Sequence, residues 1–140
     1  TTDGNYTAEA NDLGDMVVTY VDGTNQTQTL TVDGSGNVTI PAGVTAITVT
    51  VPTADDNVYE GDETFGLVVT ESNGVTSNGT ATGEATITDD GTGTGPGTPD
   101  NDKPALSVTD AGDVNEGTDA VFTVSLSNET EAPVVVNLAP

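Results

Sequence analysis

The sequence predicts an all-β protein, an antiparallel β-sandwich, and three observations predict it. Val, Ile and Thr come in short bursts with apolar residues at every second position, the period that turns one face of a strand toward a core. Gly, Asp, Asn and Pro separate the bursts, as tight turns require. No apolar residues recur at three-to-four spacing, and β-branched residues dominate, so nothing reads as a helix. A hydrophobic content of 33% with a net charge of −22 would otherwise suit a disordered chain; the alternation decides against that.

Residues 1–10 read as loop, with Asp3-Gly4 as a turn. Residues 15–21 form the first strand, ended by Asp22-Gly23, and 27–32 follow. Asp33-Gly34-Ser35-Gly36 is a hairpin turn that returns through a short strand, 37–40, stopped by Pro41. In 44–51, Ile47, Val49 and Val51 face one way and Thr48 and Thr50 the other, until Pro52 closes the strand. Phe65, Leu67 and Val69 share a face of 63–70, Asn73-Gly74 turns, and 80–88 runs straight into Asp89-Asp90. Residues 91–103, Gly-Thr-Gly-Thr-Gly-Pro-Gly-Thr-Pro-Asp-Asn-Asp-Lys, are a linker by composition. The rhythm then restarts in three strands carried by Leu106 and Val108, by Phe122, Val124 and Leu126, and by Val134, Val136 and Leu138. Three strands cannot bury a sandwich core alone. Residues 1–90 therefore read as the C-terminal part of one sandwich and 104–140 as the N-terminal strands of the next.

The charge excludes several functions. Lys103 is the only basic residue against 23 acidic ones, so no basic patch exists to bind nucleic acid or an anionic membrane. No apolar run is long enough for membrane insertion. Without Cys or His there is no disulfide framework, no thiolate or imidazole metal ligand and no usual general base. Asp55, Asp56, Glu60, Asp62 and Glu63 crowd five carboxylates into nine residues, broken by Gly61 and followed at once by a strand. Such a cluster repels itself unless a cation sits in it, and this chain has almost none to offer. Ca²⁺ fits best, because it takes six to eight oxygens in flexible geometry. A lone acidic turn is more often a solvated surface; the second pair, Asp89-Asp90, at a strand end turns the reading toward an ion site. Paired carboxylates also serve glycosidases. Here the loop is crowded with like charge and no basic group lies near in sequence to tune it, so an enzyme is not expected.

Asp55-Asp56-Asn57-Val58-Tyr59-Glu60-Gly61-Asp62-Glu63-Thr64-Phe65, with Ala85-Thr86-Ile87-Thr88-Asp89-Asp90, resembles the second half of a Calx-β domain. Val114-Asn115-Glu116-Gly117 with Ala120-Val121-Phe122-Thr123-Val124-Ser125-Leu126-Ser127 resembles the first half. More narrowly, the pattern is similar to the tandem repeats of large RTX-type bacterial surface adhesins, in a rotated frame, as one repeat period cut in mid-domain. The resemblance implies an immunoglobulin-like antiparallel sandwich in tandem beads, with calcium at one end. Carried across residue by residue, the implied ligands are Asp55, Asp56, Glu60, Glu63, Asp89, Asp90 and Glu116, with Asp12 or Asp15 as a further carboxylate. Asp62 falls between ligand positions and is expected to point outward. The implied function is a calcium-stiffened extender outside the cell, its partners neighbouring copies head to tail; the alternative is a calcium-dependent module that binds a carbohydrate or surface. Residues 104–140 either complete a neighbouring copy in line, the arrangement favoured, in which case Phe122 and Val124 bury little against Ile47, Phe65 or Ile87 of their own chain, or fold back onto 1–90 and pack with them.

Overall fold

The computed structural model describes residues 4–89 and 102–139. Two compact units divide the chain: Glu9–Ala54, and Thr1–Ala8 together with Asp55–Pro140. Every strand pairing is antiparallel, as expected of this fold class.

In Glu9–Ala54, a three-stranded sheet has the order β2-β1-β3, with β1 at Val17–Val21, β2 at Thr27–Leu30 and β3 at Thr48–Thr50. Val18 lies between Leu30 and Val49 and is buried, while Val17 and Val21 on the opposite face are exposed. The Asp22 carboxylate organises the β1–β2 turn. It accepts the N–H of Thr24 at 2.8 Å and of Gln26 at 3.0 Å, and the Gln28 side-chain amide at 2.7 Å. Asn25 takes the left-handed conformation there (φ 66°), which Asn tolerates better than most residues.

Two expectations for this unit are corrected. The Asp33 turn forms, with Gly36 N–H donating to Asp33 C=O at 2.9 Å, but 37–40 is not a strand because no ladder continues past the Asp33–Asn37 pair. The strand expected at 44–51 shrinks to Thr48–Thr50, because β1 offers it partners only from Val17 to Thr19.

In the other unit, β4 (Glu63–Thr70) and β5 (Thr80–Ile87) make a hairpin in register from Glu63 opposite Ile87 to Thr70 opposite Thr80. A second hairpin pairs β6 (Leu106–Val108) with β7 (Val124–Leu126). The N-terminal segment lies along β4: Thr7 and Ala8 N–H groups both donate to Thr64 C=O, at 3.1 and 3.0 Å. This positions Tyr6 over Gly66, where an added β-carbon would collide with the Tyr6 ring. The third C-terminal strand, expected around Val134, Val136 and Leu138, does not form. Pro133 removes a donor at its start, and Val135, 95% exposed, has nothing to pack against. Phe122 and Val124 are 60% and 43% exposed. Among the described residues, Ala8 and Val18 are the only buried apolar side chains, and no helix is long and apolar enough to cross a membrane.

Candidate metal centre

The register of the β4–β5 hairpin builds the site. With Glu63 opposite Ile87, two more residues in each direction set Asp89 across from Gly61. There the Asp89 Oδ2 accepts two consecutive backbone donors, Glu60 N–H at 2.6 Å and Gly61 N–H at 2.9 Å. Gly61 at φ 83° bends the loop so that these two amides face one oxygen, a conformation that favours glycine. The Asp62 Oδ1 returns the contact by accepting Asp89 N–H at 3.3 Å. The loop is thus stapled to the end of β5 at three points.

Glu63, the first residue of β4, is 8% exposed and Glu60 is half-buried. One carboxylate oxygen of each lies within 4.8 Å of the other. At that spacing two full charges repel by about 3–4 kcal/mol at an effective dielectric near 20. The Asp89 Oδ1 is buried and accepts no hydrogen bond, although its partner oxygen accepts two. A buried carboxylate oxygen without a hydrogen bond is costly in itself, as is a close pair of carboxylates, and each becomes favourable with a cation present. The donors on offer are all oxygens, the set a hard divalent ion takes and a soft metal does not. The residues present therefore fit Ca²⁺. Glu60 and Glu63 would hold it, and its charge would neutralise a loop whose carboxylates otherwise push apart; the unpartnered Asp89 Oδ1, on a side chain tied to the Glu60 amide, is a further candidate ligand.

Three of the other expected ligands, Asp55, Asp56 and Glu116, hold exposed positions. Asp56 is exposed and its Oδ1 accepts Val58 N–H at 2.7 Å, a local turn contact. Asp55 is exposed in the same loop, and Glu116 is exposed in the turn 115–118. Asp90 lies outside the described residues, as does most of the expected linker. Of Asp12 and Asp15, only Asp12 is buried; its carboxylate accepts Glu9 N–H in a single 3-10 turn, Ala10–Asp12. Asp62 is exposed as expected but also holds the Asp89 amide, a role its position between two ligands did not suggest. The register is the signal for it, since a strand that starts at Glu63 leaves Asp62 beside whatever follows β5.

Outside this loop, turn hydrogen bonds hold the Asp22, Asp33 and Glu71 carboxylates below their ordinary range. Asp22 is lowered by the Thr24 hydroxyl first and then by Gln28 and the Gln26 and Thr24 amides. Asp33 is lowered mainly by Asn37 N–H, and Glu71 mainly by Val75 N–H. They shape loops and leave the acidic centre to the residues above.

No curated protein and no solved structure matches this chain. The Calx-beta domain family does match, over residues 7–95. That span takes in β1 to β5, the acidic loop and Asp89, and leaves Glu116 outside. Calx-beta domains are calcium-binding β-sandwiches, in accord with the oxygen-only centre described here. The match covers well over half of the sequence and contains the whole stapled loop: this chain belongs to the Calx-beta domain family.

Proposed function

We propose that the chain is a calcium-stiffened extender, a non-enzymatic structural repeat of a large bacterial cell-surface or secreted adhesin or filament of the RTX type, with neighbouring copies head to tail outside the cell. The observation that carries the reading is the close Glu60–Glu63 carboxylate pair, in a loop stapled to an Asp89 whose Oδ1 is buried without a hydrogen bond. So few side chains are buried that hydrophobic burial leaves much of the stability to be supplied otherwise. An ion that binds only the folded state adds RT ln(1 + [L]/Kd), about 4 kcal/mol at a thousandfold excess over Kd. The uncovered Phe122 and Val124 favour a partner copy over a closed single unit. Thermal melting in calcium and in excess chelator tests the reading. A melting temperature higher by at least about 10 °C in calcium is expected from a gain of that size; equal temperatures would remove calcium from the account.

One feature favours the alternative, a calcium-dependent ligand-binding module. A cavity of about 250 Å³ is lined by Asn5, Tyr6, Thr64 and Glu84, an aromatic ring beside a carboxylate. A glycan-binding screen of the calcium-loaded protein decides between the two, since a spacer retains no glycan.

A further inference from the structure

We infer that the acidic loop is also a docking edge whose partner is the turn 127–131, and that bound calcium and the docked turn stabilise each other through the Tyr59–Glu60 peptide. The inference rests on the calcium reading above and adds to it the surface that the ion would lock.

Tyr59 pairs with Thr130 in an isolated parallel bridge, outside every named strand. Tyr59 N–H donates to Glu129 C=O and Glu131 N–H donates to Tyr59 C=O, each at 3.1 Å. The Asn128 side-chain amide reaches Asn57 C=O at 3.5 Å across 71 residues of sequence, so the docking is a tertiary contact and no local turn. Lys103 Nζ sits 5.3 Å from the centre of the Tyr59 ring. The only basic side chain of the protein thus lies over the loop's aromatic residue, where cation–π attraction favours it.

The coupling follows from one peptide plane. The Tyr59 C=O that accepts Glu131 N–H belongs to the same planar unit as the Glu60 N–H that donates to Asp89. Turning that plane to serve Asp89 aims its carbonyl at Glu131, and the reverse holds as well. Hydrogen bonds on both ends of one amide also polarise each other. An ion held by Glu60, Glu63 and Asp89 fixes the plane from one side, and the turn fixes it from the other. Coupling of this kind is reciprocal, so undocking the turn must weaken calcium by the factor that calcium strengthens the docking.

The test is Glu131→Pro in the full chain, which deletes the donor to Tyr59 and leaves the acidic loop untouched. Thr130 before it is bridged and extended, the conformation a following proline requires. Glu131→Gln keeps the N–H and removes only the charge. Calorimetric calcium titration should show affinity about three- to tenfold lower for E131P, the worth of one backbone hydrogen bond, with E131Q within about twofold of the unaltered protein. Calcium should also slow amide exchange at Glu131 at least about threefold in the unaltered protein, a measurement that stands even if E131P does not fold. Equal calcium affinity in E131P and the unaltered protein, or exchange at Glu131 indifferent to calcium, overturns the coupling while the calcium site survives. An unaltered protein that binds no calcium overturns both, and the two failures are told apart by that first titration.

Discussion

Asp89→Asn separates two roles that one carboxylate combines. Asn keeps an oxygen for the Glu60 and Gly61 amides, so the loop stays stapled, but those two bonds lose their charge assistance. A charged acceptor roughly doubles a bond worth about 1 kcal/mol, so the loss is at most about 2 kcal/mol. Relief of repulsion among the neighbouring carboxylates offsets part of it. That is the whole effect expected in chelator, where no ion is bound. In calcium the variant also forfeits the buried Oδ1 as a ligand. A hundredfold loss of affinity, with the ion well above Kd, removes a further 2.7 kcal/mol or so. The difference between D89N and the unaltered protein should thus be more than twice as large in calcium as in chelator. Denaturant melts of both proteins in both conditions measure it. If the two differences are equal, Asp89 is a loop staple only, and the assignment of its free oxygen to an ion fails.

Glu63→Gln should weaken calcium binding at least about tenfold and Asp62→Asn no more than about threefold, since Glu63 is buried in the close pair and Asp62 is exposed; equal losses in a calorimetric titration would indicate a diffuse acidic surface. Gly66→Ala should cost about 1–2 kcal/mol by displacing the Tyr6 ring. Tyr6→Ala should then relieve that cost in a double-mutant cycle, and strict additivity of the two would count against the contact. Asp22, Asp33 and Glu71 have folded pKa values depressed below the ordinary 3.8 and 4.5, so their stabilising contribution is full above those values and is lost as pH falls through the depressed ones. NMR titration should place their midpoints below 3.8 for the two aspartates and below 4.5 for Glu71; midpoints at the ordinary values would refute the turn hydrogen bonds. Magnesium should raise the melting temperature far less than calcium, because it demands tight octahedral geometry and sheds water reluctantly.

The alternation of Phe65, Leu67 and Val69 is enough to find β4, and the strand running into Asp89 is enough to find β5, because a long hairpin leaves its period in the sequence. The ends of that hairpin then place Asp89 beside the acidic loop. What alternation cannot show is whether a strand has a neighbour. Residues 37–40 and the Val134–Val136–Leu138 stretch carry the right pattern but no ladder, and 44–51 is cut to the length of its partner. The Tyr6–Gly66 contact and the Tyr59–Thr130 bridge are equally invisible, since each joins segments far apart by shape or by backbone, with no periodic signal in either. Among the carboxylates, density in sequence does not give position. Asp56 turns its Oδ1 to its own loop, while Glu60, Glu63 and Asp89 owe their positions to where β4 starts and β5 stops.

The β4–β5 hairpin puts the acidic loop at one end and its connecting turn, 71–79, at the other, seven residue steps or roughly 24 Å away. Pairing along the whole ladder, and Glu71 gripping its own turn through Asn73, Val75 and Thr76, insulate the two ends from each other. That turn is therefore a tolerant address for inserted sequence: a tag, a fluorophore or a foreign epitope placed between Asn73 and Asn78 would ride on the domain without resetting the alignment that brings Asp89 to Gly61. A domain of this build is free to diversify at that tip while the acidic loop keeps its register.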